Sequence, residues 1–105
     1  MSQIYETEAQ FQRAVIEAAQ RNGWSAYSVP DSRRATSSGF PDLVLAHSGH
    51  ARLVFAELKT NKGRVRPEQK QWLWTLEQAG QEVYVLRPAD WPLITEILTG
   101  QKERP

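Results

Sequence analysis

Residues 39–59 read GFPDLVLAHSGHARLVFAELK, and this stretch decides the fold. It contains two short apolar runs, at residues 43–46 and 53–58, that are rich in Leu, Val and Phe. Between them, residues 47–50 (His-Ser-Gly-His) have the turn chemistry of a β-hairpin connection. Apolar runs of this length are typical of buried strands. The stretch therefore predicts two paired central strands.

The chain before this hairpin shows helical periodicity. Phe11, Val15 and Ala18 fall on one side of a helix at about 100° per residue. The Asn22-Gly23 pair that follows favours a left-handed helix ending. The elements predicted here are a helix over residues 7–21, a strand over residues 24–29 and an exposed loop over residues 30–39.

The chain after the hairpin predicts a second helix, a strand and a last helix. Pro67 favours a helix start, and Glu68 complements the positive end of that helix. The predicted elements are a helix from Pro67 to about Ala79, a strand over residues 82–86 and a helix capped by Asp90 that ends near Leu98. The order α-β-β-β-α-β-α predicts an α/β fold, with a mixed central sheet flanked by helices.

Composition limits the size and class of the protein. A chain of 105 residues with 40% hydrophobic content can form one core, so we expect one domain over residues 1–100 and a frayed tail over residues 101–105. The absence of cysteine excludes disulfides and thiolate metal sites. No apolar stretch approaches the roughly 20 residues of a membrane span, so we expect a cytoplasmic, bacterial or phage-type protein without membrane contact.

Three residues of the hairpin carry chemistry. Asp42 opens the first strand, and Glu57 and Lys59 stand two apart near the end of the second. Strand alternation projects Glu57 and Lys59 from one face, and pairing of the strands brings Asp42 to the same end. Facing carboxylates repel, and Mg²⁺ is the cation that such oxygen ligands prefer. The alternative is a pair of acids at the sheet edge, one of them salt-bridged to Lys59.

Polar residues also fall on the apolar faces of the two longer predicted helices. Glu8 projects into the stripe of the first helix, and Gln69 projects between Trp72, Leu73 and Leu76 of the second. A buried carboxylate needs a partner, so both side chains are candidates for the same polar pocket. Alternatively, each satisfies backbone groups at its own helix end.

Basic residues flank the predicted site, although the net charge is only +1. We expect contacts to phosphate groups of a nucleic-acid backbone from Arg33, Arg34, Lys62, Arg64 and Arg66. Trp74 projects onto the polar side of its helix, where an exposed tryptophan marks either a dimer interface or a stacking platform for a DNA base.

The motif formed by Pro41-Asp42, fourteen intervening residues and Glu57-Leu58-Lys59 resembles that of the PD-(D/E)xK nuclease superfamily. Gly39-Phe40 before it and the run from Gly63 to Gln69 after it resemble the virus-type replication-repair nuclease (VRR-NUC) family. One departure from the family pattern is Arg66, where a serine-like helix cap is expected.

The resemblance implies a restriction-endonuclease-like core and cleavage of DNA that depends on Mg²⁺ or Mn²⁺. It makes Glu8, Asp42 and Glu57 metal ligands, and it assigns catalytic roles to Asp42, Glu57, Lys59 and Gln69. It further implies a homodimer that acts on branched DNA such as four-way junctions or flaps. The alternative function is a nucleic-acid-binding module with the same fold that does not cut.

Overall fold

The computed structural model describes residues 5–30 and 36–105, and the predicted order of helices and strands is confirmed. The α-helices of the described residues are α1 (Glu8–Arg21), α2 (Pro67–Gln78) and α3 (Trp91–Leu98). The strands are β1 (Ser25–Ser28), β2 (Leu43–His47), β3 (Arg52–Leu58) and β4 (Glu82–Leu86). A 3-10 turn, Pro88–Asp90, leads into α3.

The sheet has the strand order β1-β2-β3-β4, and its mixed character is confirmed. β1, β2 and β3 pair antiparallel, whereas β4 lies parallel to β3. A parallel pair needs a crossover, and α2 provides it. In the β2–β3 register Leu43 faces Ala56, so Asp42 and Glu57, the next residue outward on each strand, lie at the same end of the hairpin.

Alternation along β3 separates the two faces of the sheet. Val54, Ala56 and Leu58 point to one face and are almost fully buried. The hydrophobic core on this face also contains residues of α1 and α3, among them Phe11, Val15, Ile94 and Ile97. The core thus fixes the end of β3 from which Glu57 and Lys59 project.

The opposite face of the sheet carries α2 through aromatic contacts. The Phe40 ring packs edge-on against both Phe55 of β3 and Trp72 of α2, with centroid distances of 5.9 and 5.0 Å. The buried residue of α2 is Gln69, which is polar. This helix therefore presents an amide, not an apolar group, toward the end of β3.

The start of α3 differs from the prediction. Asp90 gives α3 no side-chain cap, because its Oδ2 instead accepts a hydrogen bond from Arg87 N–H at 2.9 Å. The carboxylate caps the short 3-10 turn ahead of the helix. Beyond α3, residues 101–105 form no regular element, and Lys102 N–H donates to Glu96 O. Among the described residues no helix is long and apolar enough to cross a bilayer.

Candidate active site

Asp42 and Glu57 meet at the outer end of the hairpin. The Asp42 side chain is half-buried, and its Oδ2 accepts a hydrogen bond from Leu58 N–H at 2.9 Å. This bond satisfies a backbone donor at the strand end and fixes the orientation of the carboxylate. The backbone of β3 therefore holds the Asp42 side chain in place, independently of any ligand.

Glu57 is the most deeply buried carboxylate of the site, with only 1% of its surface exposed. Its Oε2 accepts a hydrogen bond from Gln69 Nε2 at 2.8 Å and lies 3.4 Å from Lys59 Nζ. Its Oε1 is buried and receives no hydrogen bond from a described donor; only a protonated Glu57 can share a hydrogen bond with the Asp42 carboxylate. A buried oxygen without a partner is costly in free energy unless something compensates it.

The environment of Glu57 disfavours its charged form. Burial and, after it, the charge of Asp42 raise the pKa of Glu57 to about 7, although Lys59 partly opposes the shift. A carboxyl group of this kind gains a strong preference for ionisation when a cation is added nearby. The pair of acids thus has the electrostatic character of an oxygen-ligand cation site.

Lys59 extends the β3–β4 pairing by one residue, since its N–H donates to Leu86 O at 3.0 Å. Its side chain is buried, and Nζ lies 3.4 Å from Glu57 Oε2 and 3.8 Å from Glu8 Oε1. Lysine is seldom buried without a partner. The two carboxylates hold the ammonium at the site.

Gln69 performs both of the roles that the sequence left open. Its Oε1 accepts a hydrogen bond from Arg66 N–H at 2.9 Å, which caps the start of α2 in place of the missing serine-like residue. Its Nε2 donates to Glu57. Because one end of the amide is committed to the helix start, the other end must point at the carboxylate.

Glu8 lies closer to solvent than predicted. Its side chain is 50% exposed, although its Oε1 is 3.8 Å from Lys59 Nζ. It is the first residue of α1, and its place on the apolar stripe does not bury it. Its predicted role as a metal ligand stays a prediction. In residues 5–30 and 36–105, no three acidic or histidine side chains are grouped closely enough to hold a metal by themselves.

The basic residues divide between described and undescribed segments. Arg33 and Arg34 lie outside the described residues. Lys62, Arg64 and Arg66 are exposed and lie on the connection between β3 and α2, which begins after Lys59. Arg66 Nε also donates to Glu68 Oε1 at 2.8 Å.

Comparison with known proteins decides the family. The family model of the VRR-NUC domain matches residues 3–90. The chain belongs to the VRR-NUC domain family.

Solved structures with the same fold include other VRR-NUC domains. One, described as a VRR_NUC domain, is 20% identical, covers 87% of this chain and 92% of its own, and has a TM-score of 0.70. A VRR_NUC domain protein is 21% identical, covers 92% of this chain and 87% of its own, and has a TM-score of 0.66.

A Holliday junction resolvase also shares the fold. The resolvase is Hjc of the archaeal hyperthermophile Archaeoglobus fulgidus. It is 23% identical to the present chain, covers 74% of that chain and 64% of its own length, and has a TM-score of 0.56. These likenesses establish the restriction-endonuclease-like fold of the VRR-NUC domain. Among curated protein sequences no match is found.

Gly39 is a residue of this VRR-NUC site whose role no pattern in the sequence identified. Its φ is +92°, and a Cβ at this position would lie 2.5 Å from Glu68 O and 2.9 Å from Gln69 N. The backbone before Asp42 thus touches the first turn of α2. A side chain at residue 39 would separate the strand that carries Asp42 from the helix that carries Gln69.

Gly39→Ala is therefore expected to cost at least about 3 kcal/mol of unfolding free energy, because a backbone clash adds to left-handed strain. Urea unfolding measures this cost. Gly80→Ala is the matched control, since Gly80 has a φ of +84° with nothing within 4 Å of the added Cβ. It should cost about 1 to 2 kcal/mol, from the left-handed conformation alone. Equal costs for the two variants would show that only the backbone conformation, and not the contact with α2, matters at Gly39.

Proposed function

We propose that this VRR-NUC domain is a DNA endonuclease that depends on Mg²⁺ or Mn²⁺ and cleaves branched DNA such as four-way junctions or flaps. The observation that carries the proposal is the environment of the buried Glu57 Oε1. No described residue donates a hydrogen bond to this oxygen, and a second carboxylate, that of Asp42, lies nearby. Membership of a nuclease-domain family supports the reaction class. The likeness of the fold to a Holliday junction resolvase supports branched DNA as the substrate class.

The residues at the end of the hairpin fit a divalent cation. Asp42 and Glu57 would hold the cation with oxygen ligands, and Glu8, which is not grouped with them as a third direct ligand, would contribute through water from the exposed side. When bound, the cation supplies a Lewis acid that acidifies water and offsets negative charge on the phosphate. Gln69 keeps the Glu57 carboxylate oriented toward the site through its 2.8 Å hydrogen bond.

Lys59 supplies the protein's own positive charge to the reaction. Its Nζ lies at the end of a buried side chain, beside Glu57 Oε2. From there it either orients the attacking water or stabilises charge on the phosphate in the transition state. In either role, a fixed ammonium in a water-poor site acts more strongly than a mobile surface charge.

The exposed basic residues would hold the DNA backbone. Lys62, Arg64 and Arg66 lie on the connection that begins directly after Lys59, and Arg33 and Arg34 belong to the same proposal by their place before Asp42 in the sequence. Cations near the acids offset the repulsion between the carboxylates and phosphate. The residues that would bind DNA are thus different from the carboxylates that would hold the cation.

The proposal includes a homodimer, because symmetrical cleavage of a four-way junction needs two sites related by a two-fold axis. Trp74 of α2 is 59% exposed, as the sequence predicts, and supports either a pairing surface or a stacking platform for a base. The molar mass of the DNA-free protein, measured by light scattering, tests the pairing. A monomer at tens of micromolar would contradict it.

The test of function compares end-labelled four-way junction, flap and linear duplex in Mg²⁺, in Mn²⁺ and in EDTA. We expect cleavage of branched DNA with either metal and none in EDTA. DNA binding without cleavage in both metals would instead support the non-catalytic nucleic-acid-binding module.

A further inference from the structure

Arg87 connects the end of β4 to the loop that follows Lys59. Its Nη1 donates to Thr60 O at 2.6 Å and to Gly63 O at 2.7 Å. One guanidinium nitrogen therefore uses both of its hydrogens on carbonyls of the same loop. Hydrogen bonds from a charged donor are stronger than those from a neutral one. The loop of residues 60–63 is thus bound to the residue that directly follows β4.

Two further hydrogen bonds connect the same segments. Asn61 Oδ1 accepts from Ala89 N–H at 3.0 Å, and Lys59 N–H donates to Leu86 O at the same distance. The Gly63 N–H closes the loop on itself by donating to Thr60 O at 3.2 Å. We call this set of hydrogen bonds, which are made at successive points along the chain from Lys59 to Gly63, the clamp.

The clamped loop passes close to the side chain of Lys59. Gly63 has no Cβ, but a Cβ built there would be 3.5 Å from Lys59 Cδ, so the Gly63 backbone passes close beside the aliphatic stem. Lys59 is only 7% exposed, whereas the neighbouring Asn61 and Lys62 are exposed. A lysine stem loses much conformational freedom when it is held in one position. Gly63 thus lies beside the stem, and the carboxylates of Glu57 and Glu8 lie beside the Nζ.

We propose that Arg87 is a positioning residue for Lys59, acting by clamping residues 60–63 beside the lysine stem so that Nζ stays beside Glu57. The effect on catalysis rests on the proposed nuclease function, whereas the effect on Lys59 itself does not. Arg87 was not predicted from the sequence, because its partners lie 27 and 24 residues away along the chain.

The first measurement is the rate at which an acylating reagent modifies each lysine of the full chain, followed by mass spectrometry. In the parent protein we expect Lys59 to react at least about tenfold more slowly than Lys62, because opening of the loop must precede modification. Arg87→Met removes the donors while keeping an aliphatic side chain. It is expected to raise the Lys59 rate about tenfold, and Arg87→Lys is expected to restore most of the protection.

Two further variants separate the clamp from other effects. Arg13→Met removes an exposed arginine of α1 and should leave the Lys59 rate unchanged. Asn61→Ala removes one hydrogen bond without changing charge, and we expect a smaller rise of about threefold. This variant also serves if Arg87→Met does not fold. An unchanged Lys59 rate in Asn61→Ala and in folded Arg87→Met would overturn the proposal.

Cleavage kinetics test the consequence for the reaction. In Arg87→Met the single-turnover rate at saturating DNA should fall by about 10 to 100-fold with an unchanged Kd for DNA, since only the reacting geometry is disturbed. Weaker DNA binding at an unchanged saturated rate would instead make Arg87 a DNA contact and overturn its positioning role. If the parent protein cleaves no DNA, the proposed function fails, and the Lys59 modification rates still decide whether the clamp exists.

Discussion

Asp42→Asn, Glu57→Gln and Lys59→Met are each expected to lower the rate of DNA cleavage by about three orders of magnitude or more. The two carboxylates would hold the cation, and Lys59 supplies positive charge to the reacting phosphate. The measurement is single-turnover cleavage of a saturating labelled junction in Mg²⁺. Binding of DNA in EDTA should remain within a few-fold of the parent protein. It should tighten slightly for the two carboxylate variants, since they remove charges that repel phosphate.

The choice of substitutions matters at Asp42. Asp42→Ala would leave Leu58 N–H without its acceptor, and a buried backbone donor without a partner costs about 1 to 3 kcal/mol. Asp42→Asn keeps a carbonyl oxygen for that hydrogen bond while it removes the charge. Loss of cleavage in this variant therefore reports on the reaction and not on the stability of the hairpin.

The matched controls are Arg13→Met and Glu17→Gln, which remove exposed charges from α1. Both should cleave at the parent rate. A parent-like rate in Glu57→Gln would remove Glu57 from the reaction and leave the alternative of structural acids at a sheet edge. Retained cleavage in Lys59→Met alone would keep the carboxylate site and exclude the lysine.

The hairpin was predictable because its information is local. Two apolar runs and a four-residue turn define the pairing, and the register then brings Asp42 next to Glu57 without further contacts. The inward direction of Gln69 was also predictable, since it depends only on the periodicity of one helix. For these residues, contacts distant in sequence were not needed to predict the placement.

Other features depend on where separate elements end in space. The projection of α1 places Glu8 on the apolar face, but it does not show that the helix begins at the edge of the core. The Asp90 carboxylate could cap either α3 or the 3-10 turn before it. The sequence did not show that it caps the turn. The clamp of Arg87 joins segments distant in sequence, so no local pattern contains it.

Glu57→Gln is also expected to change how the stability of the metal-free protein depends on pH. The pKa of Glu57 is raised from 4.5 to about 7, first by burial and then by the charge of Asp42. Between these two values the unfolded chain releases the proton while the folded protein keeps it. The free energy of unfolding therefore falls as pH rises through this range, by about 3 kcal/mol in total.

Glutamine at position 57 does not titrate, and its amide can still accept from Gln69 and donate toward Asp42. The stability of Glu57→Gln minus that of the parent protein should therefore rise between pH 5 and pH 8. Urea unfolding in EDTA measures this difference. Hydrogen bonds from Arg52 and Tyr84 lower the pKa of Glu82 despite its burial, but Glu82 is present in both proteins and cancels.

Two controls make the interpretation specific to Glu57. Glu17→Gln removes an exposed carboxylate from α1, so its difference from the parent protein should be nearly constant over the same pH range. Added Mg²⁺ should stabilise the parent protein at pH 8 more than it stabilises Glu57→Gln, because ligand binding to the folded state adds to its stability. A constant difference between Glu57→Gln and the parent protein from pH 5 to pH 8 would contradict the raised pKa. In that case the carboxylates would already be compensated within the protein, and the physical argument for a cation at this site would fail.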